Sequence, residues 1–203
     1  GHIMFDIIII GGGPAGLTAA LYGRRQNKSV LVLEKNSFGG QTVFSPKIEN
    51  YPGFVEMSGM EFSDKLVDQV LKQGADLRME TAVEITDLGK TKKVITDCGE
   101  YESRTVIIAT GAKHRLLGLE GEEELIGNGI SFCAVCDGAF YAGKDVAVIG
   151  GGNSALQEAI LLSESCHAVH IIQNLPTLTG EDKLVKILES KENVDFTYNT
   201  VVT

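Results

Sequence analysis

Hydrophobic positions along this chain gather into short runs separated by glycine-rich turns and by stretches of helical period. Residues 5–10 are almost wholly apolar, which is the pattern of a parallel strand covered on both faces. A glycine turn follows, then Leu17, Ala20 and Leu21 at helical spacing, then a second apolar run at 30–33. Ser58 is placed to cap a helix running to about Gln73, with Phe62, Leu66 and Val70 on one stripe and Gly74 as its stop. Alternation at Val83 and Ile85, then Val94, then a break at Gly99 predicts antiparallel strands in a small meander. Residues 106–109 read as another buried parallel strand, delivering Thr110 and Gly111 to the carboxyl end of the sheet, where such sheets bind ligands.

The pattern then returns. Apolar residues 146–149 lead into Gly150-Gly151-Gly152-Asn153-Ser154-Ala155, a helix through Leu156, Ala159 and Ile160, and a strand at 169–172. Gly150, Gly152 and Ala155 each lie 139 positions after Gly11, Gly13 and Gly16, so the chain carries one supersecondary unit twice. A helix at about 181–190 and a strand near 194–198 follow. In the first copy, Gly11-x-Gly13-x-x-Gly16, with Pro14 and Ala15 inside it, joins a strand to a helix. The first glycine makes the turn, the second lets backbone approach a pyrophosphate, the third permits close helix packing, and the helix N-terminus supplies amide donors. Glu34, eighteen residues beyond Gly16, stands where a carboxylate grips ribose hydroxyls. At the matching place in the second copy stands Gln173, with neither a carboxylate for a free ribose nor an arginine for a 2′-phosphate. Two such units in tandem argue for a flavin and a nicotinamide exchanging a hydride. The expected fold is therefore α/β, built from two tandem Rossmann-like dinucleotide-binding domains.

Composition narrows the partners. With 27 acidic against 18 basic side chains and a net charge of −9, nucleic acid is an unsuitable ligand, because counterion release needs clustered Lys and Arg. No apolar run approaches the ~20 residues of a membrane span. Gly1-His2-Ile3 reads as a cloning remnant ahead of Met4, and nothing at the start resembles a secretion signal. Four cysteines in such a chain fit a reducing cytoplasm, where a cysteine pair is more often catalytic than structural. Residues 113–124, rich in charge and glycine, read as a link between domains at 4–112 and 125–203, with Glu122-Glu123-Glu124 as a solvated face.

The chemistry converges on Cys133-Ala134-Val135-Cys136-Asp137. A Cys-x-x-Cys pair closes a small disulfide suited to reversible two-electron exchange. The same spacing is half of a zinc site, but Cys98 and Cys166 stand alone, and His114, His167 and His170 form no second pair at finger spacing, so redox chemistry is favoured over a metal. Residues 35–57 form a long stretch of turn chemistry, including Gly39-Gly40-Gln41 and Asn50-Tyr51-Pro52-Gly53; a loop this long in a compact domain is usually functional.

Together with Ala109-Thr110-Gly111-Ala112 and the two glycine motifs, these residues resemble the bacterial-type, low-molecular-weight thioredoxin reductases, from Met4 to Thr203. The resemblance implies three-layer ββα domains, FAD in the first and a nicotinamide nucleotide in the second. It implies that Glu34 holds the FAD ribose, that Lys35, Gly40, Gln41, Asn50, Val83 and Ala109 line the cofactor, and that Thr110 and Gly111 close over it. Gly152, Asn153, Ser154 and Ala155 would meet the nicotinamide nucleotide. Cys136 would react with the flavin, Cys133 would attack thioredoxin, and Asp137 would protonate the departing thiolate. Family members continue well beyond this length, so both domains are expected to be incomplete at the C-terminal end, with an uncovered sheet edge or face, and the full-length form is expected to be a homodimer. Where the family shows His-Arg-Arg, this chain has Gln173-Asn174-Leu175, which leaves NADH, NADPH and reduced ferredoxin open as electron donors. Two further readings stay open: a dithiol oxidase of the same fold that hands electrons to oxygen, and a non-catalytic nucleotide-binding module.

Overall fold

A computed structural model describes residues 4–45 and 47–203; the segment read as a cloning remnant lies outside them. The chain divides into two compact units, one ending at Lys113 and the other running from His114 to Thr203.

In the first unit, β1 (Met4–Ile10) leads through the glycine turn into α1 (Pro14–Arg25) and β2 (Val30–Leu33). A 3₁₀ turn at Gly40–Phe44 precedes α2 (Gly59–Lys72), β3 (Asp76–Arg78), the hairpin β4 (Ala82–Asp87) and β5 (Lys92–Thr96), and β6 (Glu100–Ile108). The strands lie in the order β3-β2-β1-β6-β5-β4, parallel from β3 to β6 and antiparallel beyond it. Alternation along the central strands feeds two cores. Ile9, Val30 and Val32 pack with Leu17, Ala20 and Val70 of the helices. Ile8, Leu31 and Leu33 pack on the opposite face with Val94, Tyr101 and Val106 of the meander. Helices, sheet and meander are thus the three layers, and the central strands are apolar on both faces because both are covered.

Strand β6 starts six residues earlier than its apolar end suggests. Its polar first half pairs with β5 while overlapping β1, so the strand joins the meander to the parallel sheet. Helix α2 follows its sequence signals. The Ser58 hydroxyl accepts the Glu61 N–H, the Glu61 carboxylate accepts the Ser58 N–H, and Gly74 leaves the helix at φ 84°. Ser58→Ala is expected to lower stability by about 1 kcal/mol, read as a lower urea midpoint at unchanged slope.

The second unit opens with a loop and two one-turn helices, α3 (Glu122–Leu125) and α4 (Ala134–Asp137), the latter continued by a 3₁₀ turn at Gly138–Tyr141. Then come β7 (Asp145–Ile149), α5 (Asn153–Ser163), β8 (Ala168–Ile172), α6 (Asp182–Glu189) and β9 (Val194–Thr197). The three strands are parallel in the order β7-β8-β9, with Val148, Val169 and Ile171 packed against Leu156, Ala159 and Leu188. Strand β7 is an edge, and Ile149 at its end is exposed. Among the described residues no helix is long and apolar enough to cross a membrane.

The acidic run corrects one expectation. Glu123 and Glu124 face solvent, but Glu122 is 4% exposed, and its carboxylate accepts the N–H groups of Leu117, Gly118 and Leu119 at 2.8, 2.6 and 3.1 Å. Those amides belong to a loop without ladder partners, so the buried carboxylate and the orphan donors satisfy each other. The Leu117 bond, with those of Leu119 and Gly118, outweighs desolvation and holds the Glu122 carboxyl below its ordinary value. A depressed value means that the stabilisation is present above the unfolded carboxyl's pKa and disappears as pH falls through the folded one. Glu122→Gln should therefore unfold more easily than the parent near pH ~7, with the gap closing in acid below pH ~4; a gap independent of pH in thermal melts would refute this.

Candidate functional site

The carboxyl ends of β1, β2 and β6 bring the first set of predicted residues together. Gly11 has φ 110°, and a Cβ there would stand 2.1 Å from the Ala109 carbonyl oxygen; at Gly16 it would stand 1.9 Å from the Gly11 oxygen. Packing alone demands those two glycines. Gly13 is different: its φ is −76°, and the nearest atom to an added Cβ is the Gly40 Cα at 3.8 Å. The protein itself does not require glycine there, whereas a phosphate approaching the backbone does. Helix α1 also begins with Gly13 as a cap without a side-chain bond and with no acid in its first turn, in contrast to the closed capping box of α2. Its first amides have no partner within the helix and are oriented for an anion.

Half-buried Glu34 turns its carboxylate onto this turn, accepting the Gly12 N–H at 2.7 Å and the Asn36 N–H at 2.9 Å. Gly39 donates to the Gly12 oxygen at 2.7 Å, and Gln41 donates its side-chain amide to the Ala112 oxygen. The Gly39-Gly40-Gln41 segment thereby ties the glycine turn to Thr110-Gly111-Ala112, with Thr110 and Gly111 exposed. Gly11, Gly13, Pro14, Ala15, Gly16, Glu34, Gly40, Gln41, Ala109, Thr110 and Gly111 are gathered around one turn. Lys35 and Asn50 are exposed in loops, and Val83 is exposed on β4 at a break in its ladder register.

The second turn repeats the first, with one substitution. Gly150 has φ 124°, Gly152 caps α5 without a side-chain bond, and a Cβ on Gly152 would meet only the Thr179 hydroxyl at 3.9 Å. Asn153 is committed to the start of α6, its oxygen accepting the Glu181 N–H at 2.7 Å and its amide donating to the Glu181 carboxylate at 3.2 Å. Ser154 is exposed and Ala155 half-buried beside Gly150. Gln173 is 4% exposed, donates to the Thr177 oxygen at 3.2 Å, and lies so close over Gly151 that an added Cβ would stand 2.4 Å from its amide nitrogen. The open glycine turn is kept, while the residue at the position of Glu34 is bonded to the protein's own loop.

Cys133 and Cys136 form a disulfide, with Cα atoms 5.3 Å apart. Cys133 is the cap of α4, and its sulfur accepts the Cys136 N–H at 3.1 Å. Three residues to which the sequence assigns no part in this turn shape it. The Ser131 hydroxyl donates to the Asp137 carboxylate at 2.5 Å and accepts the Cys133 N–H at 3.1 Å. Glu158, on α5, accepts the Ala134 N–H, and burial pushes its carboxyl up. His114 stacks on Phe132 at 5.0 Å between centroids. These are contacts over 6, 24 and 18 positions, and no periodicity marks them. Cys98 and Cys166 are unpaired, and desolvation pushes the Cys98 thiol up, away from the reactive thiolate.

Comparison with known proteins decides the lineage. Residues 5–203 match the pyridine nucleotide-disulphide oxidoreductase family. The chain belongs to that family. This pyridine nucleotide-disulphide oxidoreductase is 42% identical over 199 residues to the thioredoxin reductase of Bacillus subtilis, a match covering 98% of the chain and 63% of that protein. Its fold is similar to the crystal structure of Lactococcus lactis thioredoxin reductase, with TM-score 0.93 and 39% identity over 97% of the chain and 65% of that structure. A ferredoxin-flavin thioredoxin reductase from Clostridium acetobutylicum is also similar, with TM-score 0.53 and 31% identity over 96% and 64%. The chain thus spans somewhat under two thirds of the length of these relatives. Membership of the family implies a flavin and a pyridine nucleotide as its redox partners.

Proposed function

We propose that the chain carries the FAD site and the redox disulfide of a thioredoxin reductase. The observation that carries this reading is the Cys133–Cys136 disulfide held beside an oriented Asp137, in a chain whose other unit offers an uncapped glycine-turn helix facing Glu34. FAD held there, once reduced by the electron donor, would supply two electrons for the disulfide. The chain's own residues do the rest: the Gly13 turn and α1 amides receive the pyrophosphate, Glu34 the ribose hydroxyls, and Asp137 passes a proton to a departing thiolate. Cys133 then attacks thioredoxin's disulfide, and Cys136 releases the mixed disulfide, so that two thiols on this protein become one disulfide as thioredoxin gains two thiols. As the helix cap, Cys133 has the Cys136 N–H to stabilise its thiolate, which suits it to attack. Val135, next to Cys136 in the chain, and Phe140, four residues beyond it, are exposed and offer apolar contact to a protein substrate.

The donor in this reading is not NADPH. Gln173 is buried and bonded within its own loop, and Asn174 and Leu175 beside it offer no arginine to a 2′-phosphate. The relative named for ferredoxin and flavin favours a reduced ferredoxin. The test is anaerobic reduction of the flavin-loaded protein by NADPH, NADH and reduced ferredoxin in turn, followed by the appearance of thioredoxin thiols. Reduction by ferredoxin at least about tenfold faster than by NADPH is expected, one lost charged contact being worth about that. Fast reduction by NADPH overturns the donor assignment; a reduced flavin that yields no thioredoxin thiols overturns the function.

A further inference from the structure

The redox turn is gripped from α5, the helix that starts at the second glycine turn. Glu158 lies five residues after Asn153, and its carboxylate accepts the N–H of Ala134, the residue between Cys133 and the rest of α4. The site is half-buried, burial pushes the Glu158 carboxyl up, and His114 stacks on Phe132, the residue before Cys133. The Cys136 N–H donates to the Cys133 sulfur, a bond that favours a thiolate there. A carboxylate fastened to the neighbouring amide works against that thiolate, and partial burial strengthens the effect by lowering the local dielectric.

We propose that Glu158 is a positioning residue of the redox centre, which anchors the Ala134 amide and, through its negative charge, makes the Cys133–Cys136 disulfide a weaker oxidant than the same turn without it. The proposal rests on the reading of this disulfide as redox-active, and goes beyond it in assigning the poise of the pair to a residue on another element.

The test equilibrates the purified chain with glutathione buffers. Two glutathione thiols give up two electrons and two protons; the Cys133–Cys136 bond breaks, two cysteine thiols form, and one glutathione disulfide is made. Glu158→Gln keeps an acceptor for the Ala134 N–H and removes the charge, so the equilibrium should move about three- to tenfold toward the dithiol, since a one-unit change in a thiol pKa is worth up to tenfold. Glu158→Asp keeps the charge and should stay within about twofold of the parent, well below that shift. Each variant is compared at matched far-UV circular dichroism and melting temperature; if E158Q does not fold, Glu158→Ala, which buries no amide, carries the same expectation. An equilibrium unmoved by loss of the charge, or moved equally by E158D, overturns the role of Glu158. A parent disulfide that does not exchange with glutathione at all sinks the redox reading itself.

Discussion

Replacing Cys133 with serine is expected to slow thiol exchange with thioredoxin by at least about a thousandfold, the scale on which a covalent nucleophile's removal is felt. Replacing Cys136 should also stop turnover, but at a later step. In Cys136→Ser the remaining Cys133 thiol attacks thioredoxin's disulfide and frees one thioredoxin thiol, but the turn has no second thiol to complete the reduction, so a covalent adduct accumulates. The structure supplies a reason for the asymmetry: Cys133 occupies the helix-cap position and receives an N–H on its sulfur, whereas Cys136 is the more exposed residue and receives none from the turn among the described contacts. Non-reducing electrophoresis of the pre-reduced variants with oxidised thioredoxin separates the roles. An adduct from C133S and none from C136S would reverse the assignment of the two sulfurs, and adducts from neither would remove thioredoxin as the partner.

The frame of this molecule was legible where local chemistry and tertiary environment agree. Strand β2 lies at the residues marked by its apolar run because both of its faces are covered. Helix α2 begins and ends at its own cap residues. The 139-residue repeat identified both glycine turns, and φ values of 110° at Gly11 and 124° at Gly150 show why those positions match. Strand β3 was missed because Asp76-Leu77-Arg78 is polar and short; it is held by pairing with β2 and by Arg78, whose guanidinium bonds Asp76 and the Tyr101 hydroxyl. The polar half of β6 was missed for a related reason: it is fixed by ladders to two neighbours rather than by apolar side chains. Of the site, the sulfurs and glycines declare themselves through spacing. Ser131, Glu158 and Glu122 do not, since each acts on backbone amides or a carboxylate that folding brings to it.

A pair of glycine substitutions should separate folding from cofactor retention. Gly16→Ala places a methyl 1.9 Å from the Gly11 carbonyl oxygen, and backbone on both sides must open to admit it. Overpacking of this kind costs about 1–3 kcal/mol, so this variant should lose stability and flavin together. Gly13→Ala meets nothing nearer than 3.8 Å and has an ordinary negative φ, so the fold should lose no more than about 1 kcal/mol, the usual difference between glycine and alanine at a helix cap. Its methyl nevertheless stands where the pyrophosphate must approach the turn, and FAD affinity should fall by at least about tenfold. Urea unfolding of the two apoproteins, set beside flavin titrations of each, makes the distinction. If Gly13→Ala binds FAD as tightly as the parent, the first turn is a packing device and the cofactor site lies elsewhere. If it unfolds as readily as Gly16→Ala, the open space at Gly13 has a structural purpose that its contacts do not reveal.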